Sequence, residues 1–398
     1  MTTPATTLTT IDLPQPGRDM RALYDLEPGM RFLNHGSYGA VATPIKAVQD
    51  DWRRRIEQNP DGFFRDQWPD ICQQARQALA AFVGAEPEQL GFVANATMGL
   101  QAAAMAVPLK PGQRVITTNH TYPALTNLLR YLCDLRGTTL DIIELPASPQ
   151  AGTQLLTALE SQLDHTVGLV AIDHITSPTA LLFPIEAVAS LCRQVGVPIL
   201  IDGAHGPGHV PLNLTTLGAD WYVGNGHKWL GAPRGTAFLW CHDKWQDRTQ
   251  TPAISHGYGR GFAENYTYYG TGDFSAWASL PHVIAWYKRL EDAGHFTTAR
   301  HILRDQATAI ADALDGQSVS APDAPGLMTA ILLPPSYTQA MREPLRQALR
   351  THHNIVSVFT SWGKDRLMAR LSSYVYNEAK DFTAYQTAMM SLKRSPPA

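Results

Sequence analysis

The sequence predicts an α/β fold built on a mostly parallel sheet. Strand-like and helix-like segments alternate along most of the chain, the predicted strands are continuous apolar runs, and 398 residues are enough for a large core. Strands that are apolar on both faces are typical of a parallel sheet covered by helices on each side. Polar residues that directly follow such strands are expected at the carboxyl edge of the sheet, where ligands bind in this fold class.

The alternating elements can be assigned one by one. Thr43 and Pro44 open a helix, because a capping hydroxyl before a first-turn proline is typical of a helix start. Gly84 ends the next helix, since glycine adopts the left-handed conformation that follows many helices. The segments predicted before residue 281 are helices from 43 and over 69–83, a strand over 90–94, a helix over 95–106, a strand over 114–118, a helix over 123–135, strands over 139–144 and 167–173, a helix over 184–196, and strands over 198–202 and 220–223.

Beyond Pro281 the pattern changes. The segments predicted there are a long helix over 282–314, a strand over 327–333, a helix over 339–352, and strands over 356–359 and 367–371. Such an order is typical of a smaller α+β domain. We therefore expect an N-terminal arm over 1–31, a large domain over 32–280 whose first part can pack with the small domain, and a small C-terminal domain over 281–398.

Composition restricts the partners of the chain. The formal net charge is -3, and neither a basic stripe nor a polybasic run is present, so nucleic acid and membrane surfaces are not expected partners. The first ten residues do not resemble a signal peptide, and a cytoplasmic location is expected. The cysteines have no CxxC spacing and are expected to be reduced and structural; they are Cys72, Cys133, Cys192 and Cys241.

Lys228 is the strongest candidate for a reactive residue. It lies in the glycine-rich stretch 223–235, directly after His227, and apolar aromatic residues flank it on both sides. Glycines allow the backbone to turn sharply and to approach a ligand closely. A lysine that is desolvated in such a setting has a lowered amine pKa, which is the condition for forming a Schiff base with a carbonyl group. We therefore interpret Lys228 as the residue that holds a cofactor.

Two further segments suggest what that cofactor contains. A predicted strand ends at Ala94, and Asn95-Ala-Thr97 then opens a helix whose first amides could bind an anion. Asn95 could equally cap the helix with no ligand present. Asp202 ends the apolar run over 199–201; it could cap the next turn, or it could keep a pyridine nitrogen protonated.

Four motifs in this order resemble the class V aminotransferase family of pyridoxal-phosphate (PLP) enzymes. They are Asn95-Ala-Thr97, Asp202-Gly-Ala-His205, Gly226-His-Lys-Trp229 and Gly270-Thr-Gly-Asp273. The segments 32–39, 173–179 and 227–233 are similar to the isopenicillin N epimerase-like branch, which also contains C–S lyases of the ergothioneine pathway. The resemblance implies PLP fold type I, with a large domain and a smaller α+β domain, and a homodimer.

The resemblance also implies roles around the ring of PLP. Lys228 would carry the cofactor as a Schiff base, Asp202 would pair with the pyridinium nitrogen, and His205 would lie beside the phenolic oxygen. Tyr122 occupies the place of the ring that stacks on the cofactor, with His120 as the alternative.

Phosphate and substrate contacts follow from the same resemblance. Ala96, Thr97 and His227 would hold the phosphate, and Thr271 would complete that site from the other subunit. Ser177 falls where related enzymes place an asparagine near the phenolic oxygen. Arg370 matches the arginine that binds the substrate carboxylate; without the resemblance, a surface arginine on an edge strand would be the simpler interpretation.

The reaction is predicted less sharply than the cofactor. Lys228 would take the Cα proton of an amino acid, after which elimination, epimerisation or transamination could follow. We favour C–S lyase chemistry on a sulfur-containing amino acid, with epimerisation or transamination as alternatives, because no second acid–base residue is evident on the substrate side. The residues expected there are Asn34, His35 and Ser37, the loop 255–262, and Tyr266, Tyr268 and Tyr269.

Several other functions are disfavoured. No cysteine lies between Asn354 and Arg370, so a persulfide-forming desulfurase is not expected. The presence of Lys228 and Asp202 argues against a binding protein without catalysis. No metal is expected, because the spacing of the histidines at 205, 209, 227, 352 and 353 matches no ligand motif, and the glycines over 257–261 do not form a GxGxxG nucleotide loop.

Overall fold

Three sheets organise the molecule. The structure is a computed structural model that describes residues 11–321, 324 and 326–394. The strands are β1 (Arg31–Phe32), β2 (Leu90–Val93), β3 (Arg114–Thr118), β4 (Thr139–Ile143), β5 (Val167–Asp173), β6 (Ile199–Gly203), β7 (Trp221–Asn225), β8 (Ala237–Cys241), β9 (Gln317–Ser318), β10 (Met328–Leu332), β11 (Ile355–Val356), β12 (Val358–Trp362) and β13 (Arg366–Ser372).

The largest sheet has seven strands in the order β2-β8-β7-β6-β5-β3-β4. Strand β8 runs antiparallel to both of its neighbours, and the other pairs are parallel. All residues of β5, β6 and β7 are buried, as expected for strands covered on both faces. The predicted mostly parallel sheet is confirmed.

Helices cover this sheet and complete the C-terminal part. They are α1 (Arg18–Arg21), α2 (Thr43–Gln58), α3 (Pro60–Gly62), α4 (Trp68–Val83), α5 (Ala96–Ala106), α6 (Pro123–Arg136), α7 (Ala151–Gln162), α8 (Ile185–Val195), α9 (Leu214–Leu217), α10 (Phe262–Asn265), α11 (Ser275–Ala278), α12 (Leu280–Asp292), α13 (His295–Ala313), α14 (Arg342–His353) and α15 (Ala379–Arg394). One π-helical turn, Phe63–Gln67, joins α3 to α4, and short 3-10 turns occupy Pro87–Gln89, Asp243–Arg248 and Gln339–Met341.

The prediction of one long helix over 282–314 is wrong. Helices α12 and α13 occupy this region and are separated at Ala293 and Gly294. Gly294 has φ of 75°, a left-handed conformation that interrupts the helical hydrogen bonds. The apolar spacing continues across the break, so periodicity alone did not reveal it.

The C-terminal part contains a four-stranded antiparallel sheet in the order β12-β13-β10-β9. The N-terminal strand β1 joins this part by pairing in parallel with β11. Leu33 continues the contact, since its amide donates to Val356 and its carbonyl oxygen accepts from Ser372. The chain just after the predicted arm therefore packs with C-terminal strands, and the predicted division at residue 280 stays a prediction.

The described part of the arm is also anchored. The predicted arm covers 1–31, of which residues 1–10 lie outside the described residues. The amide of Gly17 donates to the carbonyl oxygen of Val375 at 2.8 Å. His295, at the start of α13, hydrogen-bonds through Nε2 to the carbonyl oxygen of Pro14 at 2.8 Å. Residues 11–31 thus lie against the C-terminal half of the chain.

The carboxyl ends of the central strands bring distant residues together. Strands β5 and β6 pair in register, with Asp173 opposite Asp202. Strand β7 lies beside β6 and ends at Asn225, shortly before Lys228. The sheet therefore places two carboxylates and the glycine-rich lysine turn at one edge, as the sequence predicted for Asp202 and Lys228.

Candidate active site

A cavity of about 230 Å³ lies at this edge of the sheet. It is lined by residues from the strand ends, from the first turn of α5, from the segment 36–38 and from β13. The lining residues are Gly36, Ser37, Tyr38, Asn95, Ala96, Thr97, Leu100, Tyr122, Asp173, Ile175, Ser177, Asp202, Ala204, His205, Asn225, His227, Lys228 and Arg370. Most of the predicted site residues therefore meet in one cavity, although the sequence separates them by up to hundreds of residues.

Lys228 projects from the turn after β7 into this cavity. Its Nζ lies 3.1 Å from Nε2 of His205. Burial lowers the pKa of the Lys228 amine to about 8, although the carboxylate of Asp202 acts in the opposite direction. A lysine with a lowered pKa has a larger fraction of the nucleophilic free amine at neutral pH.

Asp202 has a carboxylate neighbour that the sequence analysis missed. Asp173 is buried at the end of the adjacent strand and also lines the cavity. Burial raises the pKa of both carboxyl groups, and the charge of Asp202 raises that of Asp173 further, to well above its usual range. Of the two, Asp173 is therefore the carboxyl group that keeps its proton to higher pH, and Asp202 is the one that ionises first.

The hydrogen bonds of the two carboxyl groups differ. Oδ1 of Asp202 accepts from the amide of Ala204 at 3.0 Å. Oδ2 of Asp173 accepts from the amide of Tyr122 at 3.2 Å, whereas its buried Oδ1 has no partner among the described residues. Asp173 ends an apolar strand just as Asp202 does, so the same pattern in the sequence could have identified it.

The first turn of α5 forms one wall of the cavity. Asn95 caps this helix, since its Oδ1 accepts from the amide of Met98 at 3.0 Å. Asn225, a residue not singled out from the sequence, accepts from the amide of Ala96 at 2.9 Å and so joins the end of β7 to the helix. Thr97 is exposed in the cavity wall, and Nδ1 of His227 is buried without a partner among the described residues. These groups suit a phosphate, because helix N-termini bind anions.

Tyr122 and its alternative His120 are placed differently. Tyr122 lines the cavity and is 44% exposed, so its ring is free to contact a bound group. His120 is fully buried outside the cavity lining, where its Nδ1 lies 2.7 Å from the hydroxyl of Thr179 and its ring packs on Trp362. The geometry therefore favours Tyr122 as the stacking ring.

Arg370 brings a buried positive charge to the cavity. Its guanidinium donates to the carbonyl oxygen of Ser177 at 2.6 Å, to the hydroxyl of Ser177 at 3.0 Å and to the hydroxyl of Ser37 at 2.5 Å. A longer contact of 3.3 Å reaches Oδ1 of Asn34, which also accepts from Ser37. Burial lowers the pKa of Arg370 to about 10. All these partners are neutral, and among the described residues no carboxylate forms an ion pair with Arg370, so the charge is free for an anionic ligand.

These contacts place Ser177 and Asn34 beside the guanidinium. Ser177 was expected near the phenolic oxygen of the cofactor, whereas its hydrogen bonds in this structure are to Arg370. Asn34 and Ser37 orient the same guanidinium from the opposite segment of the chain. The segment 34–39, which we call the N-terminal motif, and the segment after β5 thus both hydrogen-bond to Arg370.

His35 lies behind the cavity, in contrast to its predicted position in the substrate wall. It is fully buried, stacks on Tyr374 with ring centroids 3.5 Å apart, and is absent from the cavity lining. Its Nε2 donates to the carbonyl oxygen of Lys228 at 3.0 Å, and its Nδ1 accepts from the hydroxyl of Tyr376 at 2.7 Å. His35 therefore supports the backbone of the lysine turn and has no exposed face for a substrate.

The glycine at the end of the N-terminal motif, Gly39, allows this segment to approach the lysine turn closely. A Cβ atom at this position would lie 2.5 Å from the carbonyl oxygen of His227 and 2.7 Å from that of Lys228. These are backbone atoms, so a side chain could be accommodated only if the lysine turn moved. The segment 34–39 thus packs directly on the residues that position Lys228.

The aromatic loop predicted on the substrate side does not line the cavity within this chain. The hydroxyl of Tyr266 donates to Gln250, that of Tyr269 donates to Phe92, and that of Tyr268 lies 2.5 Å from the hydroxyl of Thr271. None of these residues, nor the loop 255–262, belongs to the cavity wall. Thr271 is exposed and does not belong to the cavity lining of its own chain.

Among the residues that the structure describes, no group of three or more histidine, cysteine or acidic side chains could hold a metal ion. Within the same residues, no helix combines the length and apolar character that crossing a bilayer requires. All four cysteines are buried and unpaired.

The cavity fits PLP. It combines a lysine amine of lowered pKa, a buried carboxylate, a helix N-terminus and an exposed aromatic ring, and each could serve a different part of that cofactor. Two buried polar atoms of its wall, Oδ1 of Asp173 and Nδ1 of His227, have no partner within the described chain and could receive a bound group.

Comparison with known proteins places the chain in a family. A family model described as aminotransferase class-V matches residues 63–384. An isopenicillin N epimerase from Amycolatopsis lactamdurans is 27% identical over 399 residues, which cover 94% of this chain and 98% of that protein. A probable chloroplastic L-cysteine desulfhydrase from Arabidopsis thaliana is 28% identical over 283 residues, 67% of this chain, and the match spans 60% of that relative's length.

The fold has close counterparts among solved structures. The apo structure of cysteine desulfurase from Thermococcus onnurineus NA1 superposes with a TM-score of 0.80 at 18% identity, covering 96% of this chain and all of that chain (100%). At this identity the likeness concerns the fold alone. The predicted PLP fold type I, the family and the cofactor are confirmed. This chain therefore belongs to the class V aminotransferase family of PLP-dependent enzymes.

Proposed function

We propose that this enzyme is a C–S lyase that acts on a sulfur-containing amino acid. One observation carries the amino-acid part of this proposal: the buried guanidinium of Arg370 has only neutral oxygen partners among the described residues and opens into the same cavity as Lys228. A substrate carboxylate would supply the missing negative charge. This contact would orient the rest of the amino acid toward Lys228.

The roles of the other residues follow from their positions. PLP, when bound at Lys228, withdraws electrons from the bonds at the Cα atom of the substrate. Asp202 would keep the ring nitrogen protonated, and His205 would lie beside the phenolic oxygen. Ser177 would contact the phenolic oxygen as well as Arg370. Ala96, Thr97 and His227 would bind the phosphate, and Tyr122 would cover the ring. The amine of Lys228, once free, would take the proton from Cα.

Elimination is favoured over epimerisation by the cavity wall. Epimerisation requires that one group removes a proton from one face of Cα and that another returns a proton to the opposite face. Besides Lys228, the titratable groups of the wall are the carboxyl groups and histidines near the strand ends and the phenols of Tyr38 and Tyr122. Neither phenol has a basic partner among the hydrogen bonds of the described residues, so neither is prepared to act as a second base. Elimination needs only Lys228 to remove the proton.

Epimerisation remains the second candidate because the isopenicillin N epimerase relative covers almost the whole chain. The two reactions differ in their products. We would incubate the loaded enzyme with a panel of amino acids, including cysteine and thioether amino acids, in deuterated water. Pyruvate or another oxo acid together with a released sulfur compound supports the lyase. Substrate recovered with inverted configuration and deuterium at Cα would instead establish an epimerase, and an amino group transferred to an oxo acid would establish an aminotransferase.

We also propose that the enzyme is not a persulfide-forming desulfurase. Such an enzyme must bring a cysteine thiol to the sulfur of its substrate. Cys72, Cys133, Cys192 and Cys241 are all buried, and none of them lines the cavity. The test is to treat the enzyme with cysteine and then to search its four cysteines for an added sulfur by mass spectrometry. A stoichiometric persulfide on any of them would overturn the proposal.

A homodimer in a reducing, cytoplasmic compartment would suit the remaining features. Thr271 is exposed and does not line the cavity of its own chain, which is consistent with the role in the phosphate site of a second copy that the resemblance implies. The unpaired cysteines suit a reducing compartment. Sedimentation of the loaded enzyme tests the dimer, and mixed dimers of Lys228→Ala and Thr271→Ala chains test whether the site is shared. If Thr271 acts across the interface, both substitutions fall in one site and each mixed dimer keeps one intact site. If it acts within its own chain, neither site is intact.

A further inference from the structure

Three side chains form a hydrogen-bonded chain that ends at the reactive lysine. The indole Nε1 of Trp229 lies 3.1 Å from Nδ1 of His205. Nε2 of the same imidazole lies 3.1 Å from Nζ of Lys228. Trp229 is fully buried, and His205 is 2% exposed, so water does not compete for the first of these contacts. Trp229 also follows Lys228 directly in the sequence.

The direction of these hydrogen bonds follows from the chemistry of the donor. An indole nitrogen can donate a hydrogen bond but cannot accept one. Nδ1 of His205 must therefore be the acceptor and cannot carry a proton. Burial lowers the pKa of His205 well below its usual range, so the imidazole is neutral. A neutral imidazole that lacks a proton on Nδ1 carries it on Nε2.

This tautomer defines the state of the lysine. Nε2 of His205 donates toward Nζ of Lys228, and Nζ can accept only if it has a lone pair, as a free amine does. A charged ammonium would need a lone pair on Nε2, which would move the proton to Nδ1. That proton would then point at the N–H of Trp229 across 3.1 Å, and two donors would oppose each other.

We propose that Trp229 is a positioning residue that fixes the proton of His205 on Nε2, so that His205 faces the cavity only as a hydrogen-bond donor and favours the free amine of Lys228 over the ammonium. The inference rests on the proposed role of Lys228 as the residue that captures PLP. It does not depend on whether the reaction is elimination or epimerisation. With cofactor bound, the same Nε2–H would be available as a donor to the cofactor.

The surroundings of Trp229 hold its indole in place. A Cβ atom on Gly36 would lie 2.7 Å from Cζ2 of the indole, so this glycine permits the close approach of the N-terminal motif. The ring of His209 packs at 4.5 Å, and the hydroxyl of Tyr374 donates to the carbonyl oxygen of Trp229 at 3.2 Å. The orientation of Nε1 toward His205 is therefore set by packing from several segments.

The variant Trp229→Phe removes the donor while keeping an aromatic ring. His205 can then adopt the other tautomer and accept from the ammonium, which raises the pKa of Lys228. We would measure the rate at which the full-length protein, stripped of cofactor, captures added PLP as a function of pH. The midpoint of this profile should rise by about one pH unit or more, which corresponds to about tenfold slower capture below the midpoint. An unchanged midpoint in a folded variant overturns the proposal.

A matched control is present in the same domain. Trp221 is also fully buried and donates through its indole to the hydroxyl of Thr249 at 2.9 Å, without contact to His205. Trp221→Phe should leave the midpoint where it is. In a His205→Leu background, Trp229→Phe should cause no further shift, because the effect passes through the imidazole. An equal shift in that background contradicts the proposal.

A second readout uses the unaltered protein and covers the case in which Trp229→Phe does not fold. Nitrogen-15 NMR of histidine-labelled protein, with His205→Leu to assign the resonance, should show His205 protonated on Nε2 and unprotonated on Nδ1 from pH 6 to pH 9. Protonation on Nδ1 overturns the proposal. Lys228→Ala distinguishes failure of the proposed function from failure of this inference. Covalent capture of PLP by Lys228→Ala would disprove the proposed role of Lys228, whereas the tautomer of His205 in the unaltered protein tests the role of Trp229 alone.

Discussion

The imidazole of His35 donates a hydrogen bond to the carbonyl oxygen of Lys228 at 3.0 Å, across an interface between segments that are far apart in the sequence. The other ring nitrogen accepts from the hydroxyl of Tyr376. His35 therefore links the N-terminal motif, the lysine turn and the C-terminal part of the chain. The position of the reactive lysine depends on a residue that has no contact with the cavity.

Replacement of His35 should separate this role from catalysis. His35→Leu leaves the buried hydroxyl of Tyr376 without its partner, whereas the carbonyl oxygen of Lys228 still accepts from the amide of Gly231. We expect a loss of about 1–3 kcal/mol of unfolding free energy. His35→Gln keeps a nitrogen donor near the carbonyl oxygen of Lys228 and should lose less. Urea unfolding of the protein without cofactor measures both variants. Equal stability of His35→Leu and the unaltered protein would show that these hydrogen bonds are not important.

Acid should destabilise the protein through its buried neutral histidines. Burial lowers the pKa of His35 and of His209 from the ordinary value of 6.5 to about 3. Above pH 6.5 both the folded and the unfolded chains hold these rings neutral, so they cause no pH dependence there. Between pH 6.5 and about 3 the unfolded chain binds a proton that the folded chain does not bind. Stability therefore falls as the pH falls, by about 1.4 kcal/mol per pH unit for each ring.

The measurement is the urea unfolding free energy at pH 7, 6 and 5. In His35→Gln, the slope of unfolding free energy against pH between pH 6 and pH 5 should decrease by the contribution of one proton, about 1.4 kcal/mol per pH unit. The variant should also be less stable than the unaltered protein at pH 7. A slope that does not change in this variant would mean that His35 is protonated in the folded protein.

The two adjacent carboxyl groups should respond in opposite ways to amide replacement. Burial and the charge of Asp202 raise the pKa of Asp173, so its proton is retained in the fold while the unfolded chain loses it above about pH 4. Stability is therefore lost as the pH rises from that value toward the pKa in the fold. Asp173→Asn removes this loss and should raise the unfolding free energy at pH 7.

Asp202→Asn is the matched comparison. It removes the carboxylate proposed to hold the proton of the pyridine nitrogen, and we expect turnover to fall by two orders of magnitude or more, about 3 kcal/mol, while Asp173→Asn retains more activity. Turnover and the visible absorbance of the bound cofactor are measured for both variants. If Asp173→Asn loses as much activity as Asp202→Asn, the assignment of Asp202 as the ionised partner of the ring is contradicted.

Loss of the guanidinium at position 370 should weaken substrate binding. Arg370→Gln removes a charged pair of hydrogen bonds to the carboxylate, which corresponds to about 3 kcal/mol or about a hundredfold lower kcat/KM, mainly through KM. Arg366→Gln is the control, because Arg366 lies on the same strand and donates to the carbonyl oxygen of Leu333 outside the cavity. A similar KM for Arg370→Gln and the unaltered enzyme would exclude Arg370 as the carboxylate site.

Local patterns in the sequence determined the fold class, the family and the cofactor. Continuous apolar strands alternating with helices identified the parallel sheet, because burial on both faces leaves no room for alternating polar residues. Short motifs around Asp202 and Lys228 identified PLP through their resemblance to a known family, since a strand end or the turn after it lies at the carboxyl edge of the sheet whatever the distant residues are. The break between α12 and α13 was missed because the apolar period continues through Gly294.

Only the tertiary structure decided which way the remaining side chains face. Asp173 and Asn225 join the cavity, while His35 packs behind the lysine turn and the tyrosines over 266–269 lie outside the cavity. These outcomes depend on strand register and on packing between segments that are hundreds of residues apart. A sequence pattern indicates that a polar residue is close to a strand end or a motif. Whether its atoms point to the cavity or to a backbone carbonyl is settled by the neighbours that long-range folding supplies.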